Sequence, residues 1–116
     1  MSYSSSTIDW AHQWATCWRC GKRGIWPTIL VIHHLVRGSS RKADDLATTC
    51  IACNLCHTDE HDGHGLGLLG WLVLKRRHDP THYDLVHVNR RRGRADGAIT
   101  EADVDAEEAR MRANGH

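Results

Sequence analysis

Four apolar side chains, Ile29, Leu30, Val31 and Ile32, follow one another without a polar break. A short, β-branched run of this kind predicts a buried strand within residues 26–35. The polar segment 36–45 has loop composition, and the LATTCIA stretch after it predicts a second strand. From Asn54 the polar CHTDEH segment has helical spacing. Upstream, Trp10 and Trp14 stand four apart behind Ser6 and Asp9, which predicts a short helix from Thr7 to Ala15. Downstream, LLGWLVLKRR (68–77) predicts a packing helix carrying Leu68, Leu69, Leu72 and Val73, ended by Asp79-Pro80. Residues 83–94 alternate weakly and then turn basic. Thr100 and Asp103 predict a cap on a last helix with a thin apolar face of Ile99, Ala102, Ala106 and Ala109. The central order is strand, basic loop, strand, helix, which places the chain in the α+β class.

Composition narrows this picture. A chain of 116 residues suits one compact domain, and with no phenylalanine and five tryptophans its core is modest. Such a core calls for a staple, which the five cysteines could supply. No apolar run approaches the roughly 18 residues of a membrane span. The first residues, MSYSSSTIDW, lack the charged-then-apolar pattern of a secretory signal, so a cytoplasmic protein with no membrane partner is expected. In a reducing compartment, CxxC pairs read as metal ligands rather than disulfides, and an odd cysteine count agrees. The net charge of +1 conceals an asymmetry: residues 1–94 carry 13 Lys/Arg against 8 Asp/Glu, and residues 95–116 carry 2 against 6. A basic body over 1–94 with an acidic tail over 95–116 suits a polyanionic partner such as nucleic acid.

The candidate chemistry lies in cysteines and histidines. Cys17 and Cys20 form one CxxC pair, and the stretch CIACNLCHTDEH (50–61) offers two overlapping ones, Cys50/Cys53 and Cys53/Cys56. Two such pairs fit a closed four-thiolate zinc site. His33 and His34 end the apolar run, where a turning backbone can direct both neighbours toward one site. His57 and His61 stand i,i+4, so they project from one helix face and can share one ion. Arg37, Arg41 and Lys42 after the histidine pair, and Arg90, Arg91 and Arg92 near the end of the basic body, are candidate phosphate contacts. Such contacts position nucleic acid without reading its bases.

The order C17WRC20, H33H34, C53NLC56H57 resembles the zinc-knuckle subgroup of HNH endonucleases found in bacteriophages and bacteria, over residues 17–61. The resemblance implies a ββα-metal (His-Me finger) fold in which two strands and a helix surround a catalytic divalent ion, beside a structural zinc on four cysteines. It implies hydrolysis of phosphodiester bonds in DNA, with phage packaging machinery or a second copy of the chain as protein partners. Carried over, His33 is a metal ligand, His34 the general base, His57 the helix ligand and His61 an additional ligand. The active-site ion could be Mg, Mn, Ni or Zn: imidazole suits these to differing degrees, so ligand type does not identify the ion. The family places an asparagine between the histidine pair and the helix to orient the base. Here that region offers Asp45 or Thr48. Cys50/Cys53 as the zinc pair would make Asn54 the helix ligand. Cys53/Cys56 would make it His57, and this second register is expected because it uses both histidines and leaves Cys50 as a small apolar strand residue. The alternative is a zinc-bound nucleic-acid-binding module without catalysis.

Overall fold

The computed structural model describes residues 3–36, 45–93 and 97–116. Helix α1 spans Ser5–His12, with the Ser4 hydroxyl accepting from the Thr7 amide at its start. It buries Thr7, Trp10 and Ala11, which lie three and four residues apart on one face. The helix begins and ends earlier than the expected Thr7–Ala15, so Trp14 falls in the following turn. From there it packs edge-on against Trp10 and Trp18, with ring centroids 6.0 and 5.0 Å away. The chain then doubles back through a knuckle in which the Cys17 amide donates to the Lys22 carbonyl and Gly21 takes φ +78°. That left-handed conformation is open to glycine at little cost.

Strand β1, Leu30–His34, pairs antiparallel with β2, Thr49–Cys53. Their register sets His33 opposite Cys50 and His34 opposite Thr49. Along β1 only Leu30 and Ile32 are buried, as period-two alternation requires, whereas every residue of β2 is buried. The predicted second strand is shorter than LATTCIA, because Leu46–Thr48 form a 3-10 turn with Asp45 as its cap. Helix α2, Asn54–His61, leaves β2 without a loop, and the Cys53 sulfur accepts from the Cys56 amide. The knuckle is tied to the sheet where the Trp18 amide donates to the Ile51 carbonyl.

Helix α3, Gly67–His78, is the centre of the core: Gly70, Trp71, Leu72, Val73, Leu74 and Lys75 are all buried. Leu68 and Leu69 are only partly covered, so the buried face lies further along the helix than expected. Six consecutive buried residues mark a helix covered on nearly all sides. Its buried lysine donates to Asp79 at 2.8 Å and to the Leu46 carbonyl at 2.6 Å. Within the basic segment, Leu85–Arg92 form α4, capped by the Asp84 carboxylate on the His87 amide.

The predicted capping box is present: Thr100 and Asp103 exchange side-chain and backbone hydrogen bonds at the start of α5, Glu101–Ala113. Its buried face is different from the one read in the sequence. Val104 and Met111, two turns apart, are buried, while Ala102, Ala106 and Ala109 are exposed and Ile99 is half-buried. Two larger side chains bury more apolar area than three alanine methyls, so they choose the face. The acidic segment is thus no free tail. Arg76 of α3 pairs with Glu101, Asp105 and Glu108 at 3.1, 2.8 and 2.8 Å, and Arg77 pairs with Glu108. The whole is a small α+β fold with a two-stranded sheet and five α-helices among the described residues. None of these helices is long and apolar enough to cross a membrane.

Candidate metal centres

Two ligand-rich clusters flank the ββα unit of β1, β2 and α2. The first joins the knuckle to the N-terminus of α2. The thiols of Cys17, Cys20, Cys53 and Cys56 all lie within 4.8 Å of one another, and all five cysteines are free of disulfides. Sulfur atoms at the corners of a tetrahedron with bonds of about 2.3 Å stand about 3.8 Å apart. The Cys20 and Cys53 sulfurs are 3.7 Å apart, so the set fits a structural ion such as zinc. Burial hinders ionisation of Cys53, but hydrogen bonds from the Cys56 amide and the neighbouring thiols outweigh it and lower its pKa to about 7. Burial raises Cys17 and Cys56 instead. A cation supplies what this cluster lacks, since four thiolates repel one another without one.

The structure separates the two cysteine registers. Cys53 and Cys56 join the knuckle pair, whereas Cys50 is fully buried in β2, with its sulfur 3.8 Å from the Trp71 carbonyl. Burial pushes the Cys50 thiol up to about 12, so it remains a neutral apolar residue. The helix position after the metal pair is therefore His57, not Asn54, whose side chain donates to the Thr28 carbonyl.

The second cluster lies where β1 ends against α2. His33 and His34 both line a cavity of about 250 Å³ with Leu35, Glu60, His61 and Leu68. The bend immediately after β1 brings the two neighbours to one cavity, as expected from their place at the strand end. His57 and His61 present their Nε2 atoms to each other at 3.1 Å. Two imidazole nitrogens each about 2.0–2.1 Å from one ion stand about 2.8–3.4 Å apart at right-angled to tetrahedral geometry. The His33 ring lies 5.5 Å from that of His57 and 4.8 Å from that of Trp71. Among the described residues only the four cysteines bring three or more ligand atoms within 4.8 Å of one another, so the histidines converge more loosely. The Nδ1 atoms of His33, His34 and His57 are buried without a hydrogen-bond partner. Burial, reinforced by the neighbouring imidazoles, lowers the pKa of His33 to about 4, and burial also lowers His34 and His57. All three are therefore neutral at pH 7, the form that binds a metal or accepts a proton.

Other predicted residues fall elsewhere. The Asp45 carboxylate accepts from His87 at 2.7 Å and Arg91 at 2.9 Å, not from either histidine of the pair. It caps the 3-10 turn, and two cationic or polar donors on α4 outcompete a distant imidazole for it. Thr48 donates to the Asp45 carbonyl. His34 Nε2 lies 3.5 Å from the Tyr3 hydroxyl. Arg37, Arg41 and Lys42 lie outside the described residues. Of the later basic cluster, Arg90 is exposed, whereas Arg91 holds Asp45 and Arg92 bonds to the Asn89 side chain and the Gly97 carbonyl. The latter two serve the packing of α4. Glu60, which lines the histidine cavity, and Trp71, which packs on the His33 ring, carry no motif of their own in the sequence, although the His57, Glu60, His61 spacing puts all three on one helix face.

No protein-family model, curated protein or solved structure matches the chain, so its own geometry has to carry any functional reading.

Proposed function

We propose that the chain is a metal-dependent endonuclease of the HNH type, hydrolysing phosphodiester bonds in DNA. The observation that carries this is that His33 and His34 from β1 and His61 from α2 line one cavity, with His57 set between them, its Nε2 3.1 Å from that of His61 and its ring 5.5 Å from that of His33, in a ββα unit that also bears the four-thiol cluster. His33, His57 and His61 would hold a divalent ion, which when bound supplies Lewis-acid stabilisation of charge on the scissile phosphate. His34 is neutral at pH 7 and half-buried at the cavity wall, and it accepts a proton from water in this scheme. The cysteine cluster fixes the start of α2 to the knuckle, and so sets where His57 stands relative to the sheet.

The test is plasmid cleavage by the zinc-loaded protein with added Mg, Mn, Ni or Zn, beside a His34→Ala variant. Loss of a general base lowers the rate about 10²–10⁴-fold. Equal cleavage by both proteins refutes the role of His34. A second reading, a nucleic-acid-binding module without catalysis, draws on Asp45 being held by α4 and on the unpartnered Nδ1 of His34. A mobility shift of DNA with no scission under any of these metals selects it.

A further inference from the structure

We infer that Glu60 is a positioning residue of the histidine site, holding the His33 side of the cavity in place through Trp71. The inference rests on the reading of that cavity as a divalent-ion centre. Glu60 shares its helix face with His57 and His61 and lines the same cavity as His33 and His61. Its carboxylate is engaged on both oxygens. Oε2 accepts from the Trp71 indole Nε1 at 3.0 Å, and Oε1 accepts from the Gly67 amide at 3.0 Å. Trp71 is fully buried, and its ring lies 4.8 Å from the His33 ring at an interplanar angle of 40°. One carboxylate thus links the helix bearing two of the imidazoles to the indole packed on the third. It also secures the first turn of α3, at a glycine with φ +76°.

The loop between α2 and α3 is shaped around this carboxylate. A Cβ placed on Gly65 would stand 1.7 Å from Glu60 Oε2 and 2.8 Å from the Glu60 Cα. Gly65 does not have a positive φ, so what an alanine there meets is Glu60 itself: the carboxylate must be displaced, and the loop must also give slightly at the Glu60 Cα. Two substitutions therefore reach the same contact from different sides. Glu60→Gln removes one acceptor and the charge, and Gly65→Ala displaces the carboxylate while leaving its charge intact. A metal-ligating imidazole is usually fixed by a neighbour outside the coordination sphere, and loss of that neighbour weakens metal affinity about 10–100-fold. Here the neighbour is an indole, and the carboxylate fixes the indole.

The experiment uses the full chain with one zinc at the cysteines, in wild type, Glu60→Gln, Glu60→Ala and Gly65→Ala. A second equivalent of Zn²⁺ is titrated by calorimetry, while the Trp71 indole proton and the His33, His57 and His61 imidazole resonances are followed by NMR. The expected result is a shifted Trp71 indole proton in each variant. Affinity for the second ion should fall about 10–100-fold in Glu60→Ala and Gly65→Ala, and less in Glu60→Gln, which keeps one acceptor for the indole. In a cleavage assay the same order should appear in kcat, with KM for DNA unchanged. Wild-type affinity in variants whose indole resonance has moved overturns the positioning role and leaves the ion centre standing. Failure of the wild type to bind a second ion, with unmoved imidazole resonances, overturns the ion centre and the positioning role together. Should Glu60→Ala fail to retain its first zinc, Glu60→Gln and Gly65→Ala decide the matter.

Discussion

Replacing Lys75 by methionine removes an ammonium group from the centre of the fold while keeping most of its apolar stem. Lys75 has no exposed surface, and its Nζ donates to Asp79 Oδ2 at 2.8 Å and to the Leu46 carbonyl at 2.6 Å. The same atom lies 4.8 Å from the centroid of the Trp10 ring. Its loss leaves the Leu46 carbonyl without that donor and the buried Asp79 carboxylate without its cation. Breaking a buried pair from one side costs about 3–5 kcal/mol, mostly through the charge left behind. Asp79 would keep the Trp10 indole at 2.9 Å and His82 at 3.0 Å, which places the cost near the lower end, at about 3 kcal/mol. For a domain of this size that is a fall in Tm of roughly 10–15 °C. Thermal and urea unfolding at saturating zinc measure it, because zinc bound only by the native state would otherwise shift the midpoint. A Lys75→Met, Asp79→Asn double variant removes both charges, while the introduced amide oxygen can still accept from Trp10. It should recover about 1–2 kcal/mol relative to the sum of the single variants. A Lys75→Met protein within about 1 kcal/mol of wild type, or strict additivity in the double variant, would refute the reasoning.

The cysteine register predicts that Cys56→Ser loses the structural zinc by elemental analysis, whereas Cys50→Ala keeps one ion and costs about 1–2 kcal/mol for a deleted buried atom. Zinc loss in Cys50→Ala would place that residue among the ligands. Stability should also fall as the solution is acidified. His33 titrates at about 4 in the native state because burial and its neighbouring imidazoles disfavour charge, against about 6.5 in the unfolded chain. The unfolded state therefore binds more protons between these values. The His33 contribution is full above about pH 6.5 and is lost progressively as pH falls toward 4. Asp79 adds a later loss: burial alone would raise its carboxyl, but donors from Lys75, His82 and Trp10 hold it below the ordinary aspartate range, so its contribution disappears only in stronger acid. Urea titrations at pH 7 and pH 5 check the histidine part, with His33→Asn expected to lose less stability over that interval than wild type.

Much of the central layout is legible in the sequence because it depends on local chemistry. The apolar run before His33 suits a buried strand, and β1 occupies Leu30–His34 within the expected interval. The Thr100 and Asp103 capping box is readable because its partners are three residues apart. Less legible is the orienting residue. Asp45 and Thr48 are candidates by their place in the chain, but a carboxylate goes to its strongest donors, and these come from α4, 42 and 46 residues away. The basic run 90–92 looks like a phosphate-binding face, yet two of its three arginines are engaged inside the fold. Charge along a sequence does not state which cations are already neutralised.

The sequence by itself determined the ligand types, their spacing and the strand, strand, helix order that brings them within reach of one another. Those features follow from backbone periodicity, which is local. The choice between the two overlapping CxxC pairs was expected from the sequence, and the tertiary structure agrees with it, gathering Cys53 and Cys56 with the knuckle pair while Cys50 packs against α3. Tertiary structure alone decided that the acidic segment docks on α3 and that Lys75 is buried. Both outcomes depend on partners far away in the chain: the arginines of α3 for the one, and Asp79 with the Leu46 carbonyl for the other. A cation enters a core only where acceptors are waiting for it, and no stretch of sequence around Lys75 shows that the Leu46 carbonyl is among them.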